Sequence, residues 1–150
     1  MTVSLTADTP LTGAAHAGRI LLCNDADGKF TLPSINVNAN GATSGDNDFN
    51  NLNNIGATFT FFVETAATDM DIKTDGTDKF KGAIMIGVDD GSKKAFVPGA
   101  TNDVITMNGS TKGGIVGSVV SFTAIDTATY MVHNSLLIGS GTIVTPYADA

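Results

Sequence analysis

The side chains able to act as nucleophiles, acid–base groups or metal ligands are few and widely spaced in this chain. It contains one cysteine, Cys23, and two histidines, His16 and His133. A Ser–His–Asp set can assemble from distant positions, but the G-x-S-x-G turn that exposes a nucleophilic serine does not occur. Zinc sites need clusters of Cys or His, and the sequence has none. The sequence therefore predicts no catalytic residues, no metal site and no cofactor.

Carboxylates are the one abundant reactive group, and several lie in turn-like sequence. Glu64 is the only glutamate among the 15 acidic residues. Aspartates recur in segments 25–28, 69–71 and 75–78. Aspartate in a turn usually hydrogen-bonds its own backbone, and none of these segments matches the EF-hand loop. Calcium bound in these turns stays an open alternative to a purely structural role.

The charge balance argues against several classes of partner. The formal net charge of the 150 residues is −7, with only eight Lys and Arg. Binding to a nucleic-acid backbone needs a basic stripe, so we expect no nucleic-acid partner. The apolar runs are far shorter than a membrane-spanning helix requires, and the first residues do not resemble a secretory signal. We expect no membrane partner, and a single cysteine excludes an internal disulfide.

The elements that must position these residues are strands. The chain is rich in Thr, Gly, Asn and Asp, which are poor helix formers. The strongest alternation, in segment 58–63, puts Phe59, Phe61 and Val63 on one face. Segments 19–32 and 83–97 each read as two strands joined by a Gly-containing turn, which predicts two hairpins. Turn residues recur at short intervals, so we predict an all-β fold: a single-domain antiparallel β-sandwich, jelly-roll-like, with few or no helices.

The predicted organisation is an N-terminal arm (1–11), a sandwich domain (12–142) with a long Asn/Gly-rich loop (38–56), and a C-terminal tail (143–150). The ends suit edge strands or extended arms because apolar residues alternate there and prolines occur. The apolar side chains of the loop either hold it to its own core or contact a neighbouring subunit. The candidate residues for contact with a neighbouring subunit or another protein are Val3, Leu5, Leu11, Phe49, Leu52, Ile55, Ile143 and Tyr147.

Several short stretches, taken in order, resemble a known family. They are HAGRILL (16–22), FTLP (30–33), FTFFV (59–63), GAI (82–84), NGSTKGG (108–114) and GS (117–118). Their order is similar to that of capsid decoration (cement) proteins of tailed bacteriophages and related head or tail appendage proteins. The resemblance covers most of the chain, while the Asn-rich segment 38–56 goes beyond the pattern.

The resemblance implies a β-rich structural protein, not an enzyme. It would be a homotrimer on the outer capsid surface of the virion, where it bridges neighbouring copies of the major capsid protein. Contacts that exist only in the assembled shell stabilise only the assembled state, and three linked contacts add avidity. Two alternatives remain: a receptor- or glycan-binding appendage domain that uses the Asn-rich loop, and a small hydrolase on a β-scaffold.

Overall fold

The computed structural model describes residues 1–35 and 54–150, and its strands form two sheets. The larger sheet contains eight strands: β1 (Thr2–Leu5), β3 (Ile20–Cys23), β5 (Thr58–Val63), β7 (Lys79–Lys81), β8 (Ile84–Gly87), β9 (Lys93–Phe96), β11 (Val119–Asp126) and β12 (Thr129–Ile138). The smaller sheet contains five strands: β2 (Thr9–Pro10), β4 (Lys29–Thr31), β6 (Met70–Lys73), β10 (Val104–Met107) and β13 (Tyr147–Ala148).

The two sheets pack as a sandwich, which confirms the predicted all-β, single-domain class. The prediction that the sheets are antiparallel is wrong, because each sheet contains both parallel and antiparallel strand pairs. Neighbours in the larger sheet follow the order β1-β3-β5-β11-β12-β8-β9, with β7 also paired to β12, and those in the smaller sheet follow β13-β10-β6-β4-β2. Both β1–β3 and β3–β5 are parallel, whereas β11 is antiparallel to β5 and β12.

Strand alternation places one face of each sheet in a shared core. In β5 the side chains of Phe59, Phe61 and Val63 are buried, as their alternation predicted. Phe30 of the smaller sheet stacks on Phe61 of the larger sheet, with ring centroids 6.2 Å apart. The ring centroid of Phe80 in the larger sheet lies 6.4 Å from that of Tyr147 in the smaller sheet. Aromatic contacts of this kind add to the burial of apolar area, so they join the sheets at the centre of the molecule.

One predicted hairpin is confirmed and the other is wrong. Strands β8 and β9 pair in antiparallel fashion around the turn at 88–92. Strands β3 and β4 are consecutive but belong to different sheets, so segment 19–32 crosses the sandwich instead of forming a hairpin. Each strand instead has a parallel partner within its own sheet: β3 pairs with β5, and β4 pairs with β6.

Helical structure in the described ranges is confined to α1 (Gly13–His16), and no helix there is long and apolar enough to cross a membrane. The Thr12 hydroxyl caps α1 by accepting a hydrogen bond of 3.3 Å from the Ala15 N–H, as is typical of helix N-termini.

Both chain ends are strands of the sandwich, so the edge-strand interpretation of segments 1–11 and 143–150 is the one the structure shows. Strand β1 forms an edge of the larger sheet, while β2 and β13 form the two edges of the smaller sheet. The short length of β2 and β13, and Pro10 in β2, limit further pairing at those edges.

Candidate contact surface

The outward side of the larger sheet carries a row of apolar side chains that crosses the strands. We call this side the outer face, and we call Leu22, Phe62, Val119, Leu136 and Met85 the apolar row. Register aligns these five residues on β3, β5, β11, β12 and β8, respectively. Ser4 on β1 and Ala95 on β9 continue the line to the two edges. The apolar row thus crosses five neighbouring strands, and the line that contains it crosses seven.

The apolar row is open to solvent at one end. Leu136 is 50% exposed and Met85 is 40% exposed, while Leu22, Phe62 and Val119 are half-buried. Ile20 and Met131 lie on the same face at 41% and 37% exposure. Single exposed apolar residues are ordinary, but a contiguous apolar patch on a soluble protein usually marks an interaction site. The outer face is therefore a candidate contact surface.

An irregularity at Asn134 sets which side chains of β12 reach this surface. Val119 pairs with Leu136, and Ser121 pairs with His133. One residue therefore lies between these paired positions on β11, whereas two residues lie between them on β12. The extra residue forms a β-bulge, and Asn134 has a positive φ of 45°. A one-residue shift exchanges the two faces of a strand. Beyond the bulge, Leu136 therefore faces outward and Leu137 is fully buried.

Beside the apolar row, hydroxyl groups on neighbouring strands bond to one another. The Oγ1 atoms of Thr58 and Thr123 are 2.7 Å apart, and Thr60 Oγ1 lies 2.9 Å from Ser121 Oγ. Thr123 Oγ1 is also 2.8 Å from His133 Nε2. Because these polar groups already have partners within the sheet, covering them with another protein costs less than covering unpaired groups.

The outer face is almost free of acidic groups, although the chain is strongly acidic. Asp126, at the end of β11, is the only acid within the eight strands of the larger sheet, and Glu64 follows directly after β5, where it accepts a hydrogen bond from Asn24. The bases of those strands lie in β7 and β9. The smaller sheet, in contrast, carries an ion-pair cluster in which Lys29 Nζ lies 3.0 Å from Asp69 and 3.1 Å from Asp71. Depletion of charge is the compositional mark of an interface centre.

The residues considered for catalysis do not form a reactive site. Cys23 is fully buried, and burial raises the pKa of its thiol to about 12. His16 lies in α1, where its Nδ1 is 2.9 Å from the Thr12 N–H, and burial lowers the pKa of this imidazole. His133 lies on the outer face. Within residues 1–35 and 54–150, no group of three or more His, Cys, Asp or Glu side chains could hold a metal ion.

The aspartates of the turns bind donors of their own chain. Asp75 accepts hydrogen bonds from the Ser34 hydroxyl at 2.5 Å and from the N–H of Thr77 at 2.9 Å. Asp69 and Asp71 share the ammonium group of Lys29. These contacts favour the structural role over the calcium alternative for segments 69–71 and 75–78.

A cleft of about 310 Å³ lies where the chain leaves β9. Its walls are residues 79–82 and 97–100, and Val97 on its rim is 78% exposed. Lys79, in one wall, is bound to Asp103 with Nζ 2.6 Å from Oδ2. The cleft is largely apolar and brings together no acid–base or nucleophilic pair.

The predicted contact residues lie elsewhere than the apolar row. Four of them are instead core residues of this chain: Leu5, Leu11, Ile143 and Tyr147 are at most 7% exposed. They are buried because both chain ends pair with the sandwich. Val3 is half-buried against the same core, and Ile55 is 39% exposed. Phe49, Leu52 and most of the predicted loop lie outside the described residues.

The apolar row was not predicted from the sequence, because its five residues are far apart in the chain. The available signal was local: Phe62 and Leu22 interrupt the outward face of otherwise strand-like segments. Only the pairing register brings them into line.

Comparison with known proteins found no matching family model, no matching curated protein and no matching solved structure.

Proposed function

We propose that this protein is a structural virion protein that decorates the outer surface of a phage capsid. As a homotrimer it bridges neighbouring copies of the major capsid protein and so cements the shell. The proposal combines the family resemblance of the sequence with what the described residues offer, which is surface for contact and no reactive centre.

The observation that carries the proposal is the outer face of the larger sheet. Although the net charge of the chain is −7, the described strands of the larger sheet contain one acid, and their outer face exposes Leu136, Met85 and Ile20. Such a face serves association between proteins, because exposed apolar area is stabilised only when a partner covers it. The thiol of Cys23, the strongest nucleophile available, is sealed in the core, so chemistry at that residue is disfavoured.

The direct experiment is to measure the composition of purified virions of the phage that encodes the chain. Quantitative mass spectrometry should find it at a copy number comparable with that of the major capsid protein. Particles that lack it should release DNA at a lower temperature, because a ligand that binds only the assembled shell stabilises that state. Absence from purified particles, or particles that are no less heat-resistant without it, would overturn the proposal.

The same measurement separates the appendage alternative. A receptor- or glycan-binding domain at a fibre or tail tip would be present in far fewer copies, and the isolated protein would bind host cells.

A further inference from the structure

We propose that the outer face of the larger sheet is covered by another copy of this chain. The inference rests on the proposed function only for the number of copies, which we take as three. It assigns the apolar row to contact between subunits, and it leaves contact with the capsid to other surfaces.

Charge is the first argument for a second copy as the occupant. Two molecules of net charge −7 repel each other wherever acids meet. Among the described strands of the larger sheet the one acid, Asp126, is outnumbered by the lysines of β7 and β9, and Glu64 follows directly after β5. Like charges brought together across an interface are costly. In a three-fold assembly the outer face of one copy meets a different surface of the next, so a face with few acids meets the acidic remainder of the chain with little repulsion.

Area is the second argument. Seven strands at a spacing of about 4.8 Å make the face about 29 Å wide, and the six residues of β5 give it a depth of about 20 Å. Its flat area is therefore about 580 Å², and the side chains that stand on it raise the accessible area further. Stable interfaces bury about 800 Å² for each partner. The outer face is large enough to supply most of a specific contact between two copies.

The third argument is the cost of removing water from the face. The hydroxyls of Thr58, Thr60, Ser121 and Thr123 already bond to one another across β5 and β11. They need no new partner when a second copy excludes solvent, so little of the gain from burying Leu136 and Met85 is lost.

The test compares oligomeric mass among three forms of the full chain by size-exclusion chromatography with light scattering. The test variant replaces two exposed members of the apolar row, Leu136→Lys with Met85→Lys. The control is Val144→Lys, which adds a lysine at a position that is 43% exposed and precedes β13 of the smaller sheet. Wild type and control should both give three times the chain mass of 15.3 kDa, whereas the double variant should give 15.3 kDa.

A milder substitution keeps the test decisive if the double variant does not fold. Leu136→Ser adds no charge and should weaken self-association by at least about tenfold, since it removes most of one exposed leucine from the contact. Urea unfolding at low protein concentration should show the same slope and midpoint for monomeric wild type and variants.

Two outcomes would overturn the inference. One is a wild type that is monomeric at all concentrations, and the other is a double variant with the mass of the wild type. Binding to purified shells distinguishes these from failure of the proposed function. A double variant that stays trimeric but no longer binds shells would show that the outer face meets the capsid. Such a result would contradict the inference and support the proposed function.

Discussion

The hydroxyl of Tyr147 donates a hydrogen bond of 2.5 Å to the carbonyl oxygen of Gly82. Tyr147 belongs to β13 of the smaller sheet, and Gly82 follows β7 of the larger one. The bond therefore joins the two sheets near the C-terminal end of the chain. Together with the pairing of β13 to β10, it makes the predicted tail part of the sandwich, and the ring centroid of Tyr147 lies 6.4 Å from that of Phe80.

Removing this hydroxyl should destabilise the whole domain. We expect Tyr147→Phe to lower the free energy of unfolding by about 1–2 kcal/mol, because the carbonyl of Gly82 loses a partner in a site with little water. Urea unfolding followed by circular dichroism measures the change. Val144→Ala is the control, since Val144 is 43% exposed, and it should change stability by less than about 0.5 kcal/mol. Equal effects of the two substitutions would show that residues 143–150 are only loosely attached.

The alternation of side chains was sufficient to predict the strands but not their partners. Segment 58–63 shows its buried face directly in the sequence, and the structure buries the same residues. The partner of β5 on one side is β3, which precedes it by more than 30 residues, and the pairing is parallel. A parallel pair needs a long connection, so no local turn signal reveals it.

The role of the chain ends could not be predicted for a similar reason. Alternation of Val3 and Leu5 is the same for a strand that pairs within its own chain and for one that pairs with a neighbour. The β1–β3 pairing decides between them, because it places Leu5 opposite Cys23 in the core. The apolar row likewise exists only once five strands are in register. The sequence shows apolar residues such as Phe62 on outward strand positions, but it does not show that they line up.

The thiol of Cys23 should be inert in the folded protein. It is fully buried, and burial raises its pKa to about 12, so the reactive thiolate is a very small fraction of the population near neutral pH. We expect Ellman's reagent at about pH 8 to leave the native protein unmodified and to react with one thiol for each chain in concentrated urea. Rapid reaction of the native protein would show that the core around β3 opens readily.

The carboxylate of Asp75 should make stability depend on pH in acid. Burial alone would raise the pKa of Asp75, but hydrogen bonds from Ser34, Thr77 and Asp78 outweigh it and hold the pKa below its usual value. A carboxyl whose pKa is lowered by folding contributes stability above its unfolded pKa of about 4, and that contribution disappears as the pH falls through the folded value.

Asp75→Asn isolates this contribution. The amide keeps an oxygen for the N–H groups of Thr77 and Asp78 but does not titrate. Wild type should therefore be the more stable protein at about pH 6, and the two urea midpoints should converge at about pH 2.5. Asp78 provides the contrast, because burial raises its pKa and its contribution runs in the opposite direction. A difference between wild type and Asp75→Asn that is constant with pH would contradict the assignment.

The bulge at Asn134 should be sensitive to side-chain shape, because its backbone lies in the left-handed region with φ of 45°. Asparagine tolerates this conformation better than other residues with a side chain, and a β-branched residue tolerates it poorly. We expect Asn134→Val to cost about 1–2 kcal/mol of stability. Asn134→Gly should cost much less, because it keeps the conformation and loses only a weak contact of 3.4 Å with Ser121. Since the bulge turns Leu136 outward, Asn134→Val should also weaken self-association more than Asn134→Gly does, as light scattering of the two variants would show. Equal stability of both variants would mean that a regular strand is accessible to β12, and the outward position of Leu136 would then not depend on residue 134.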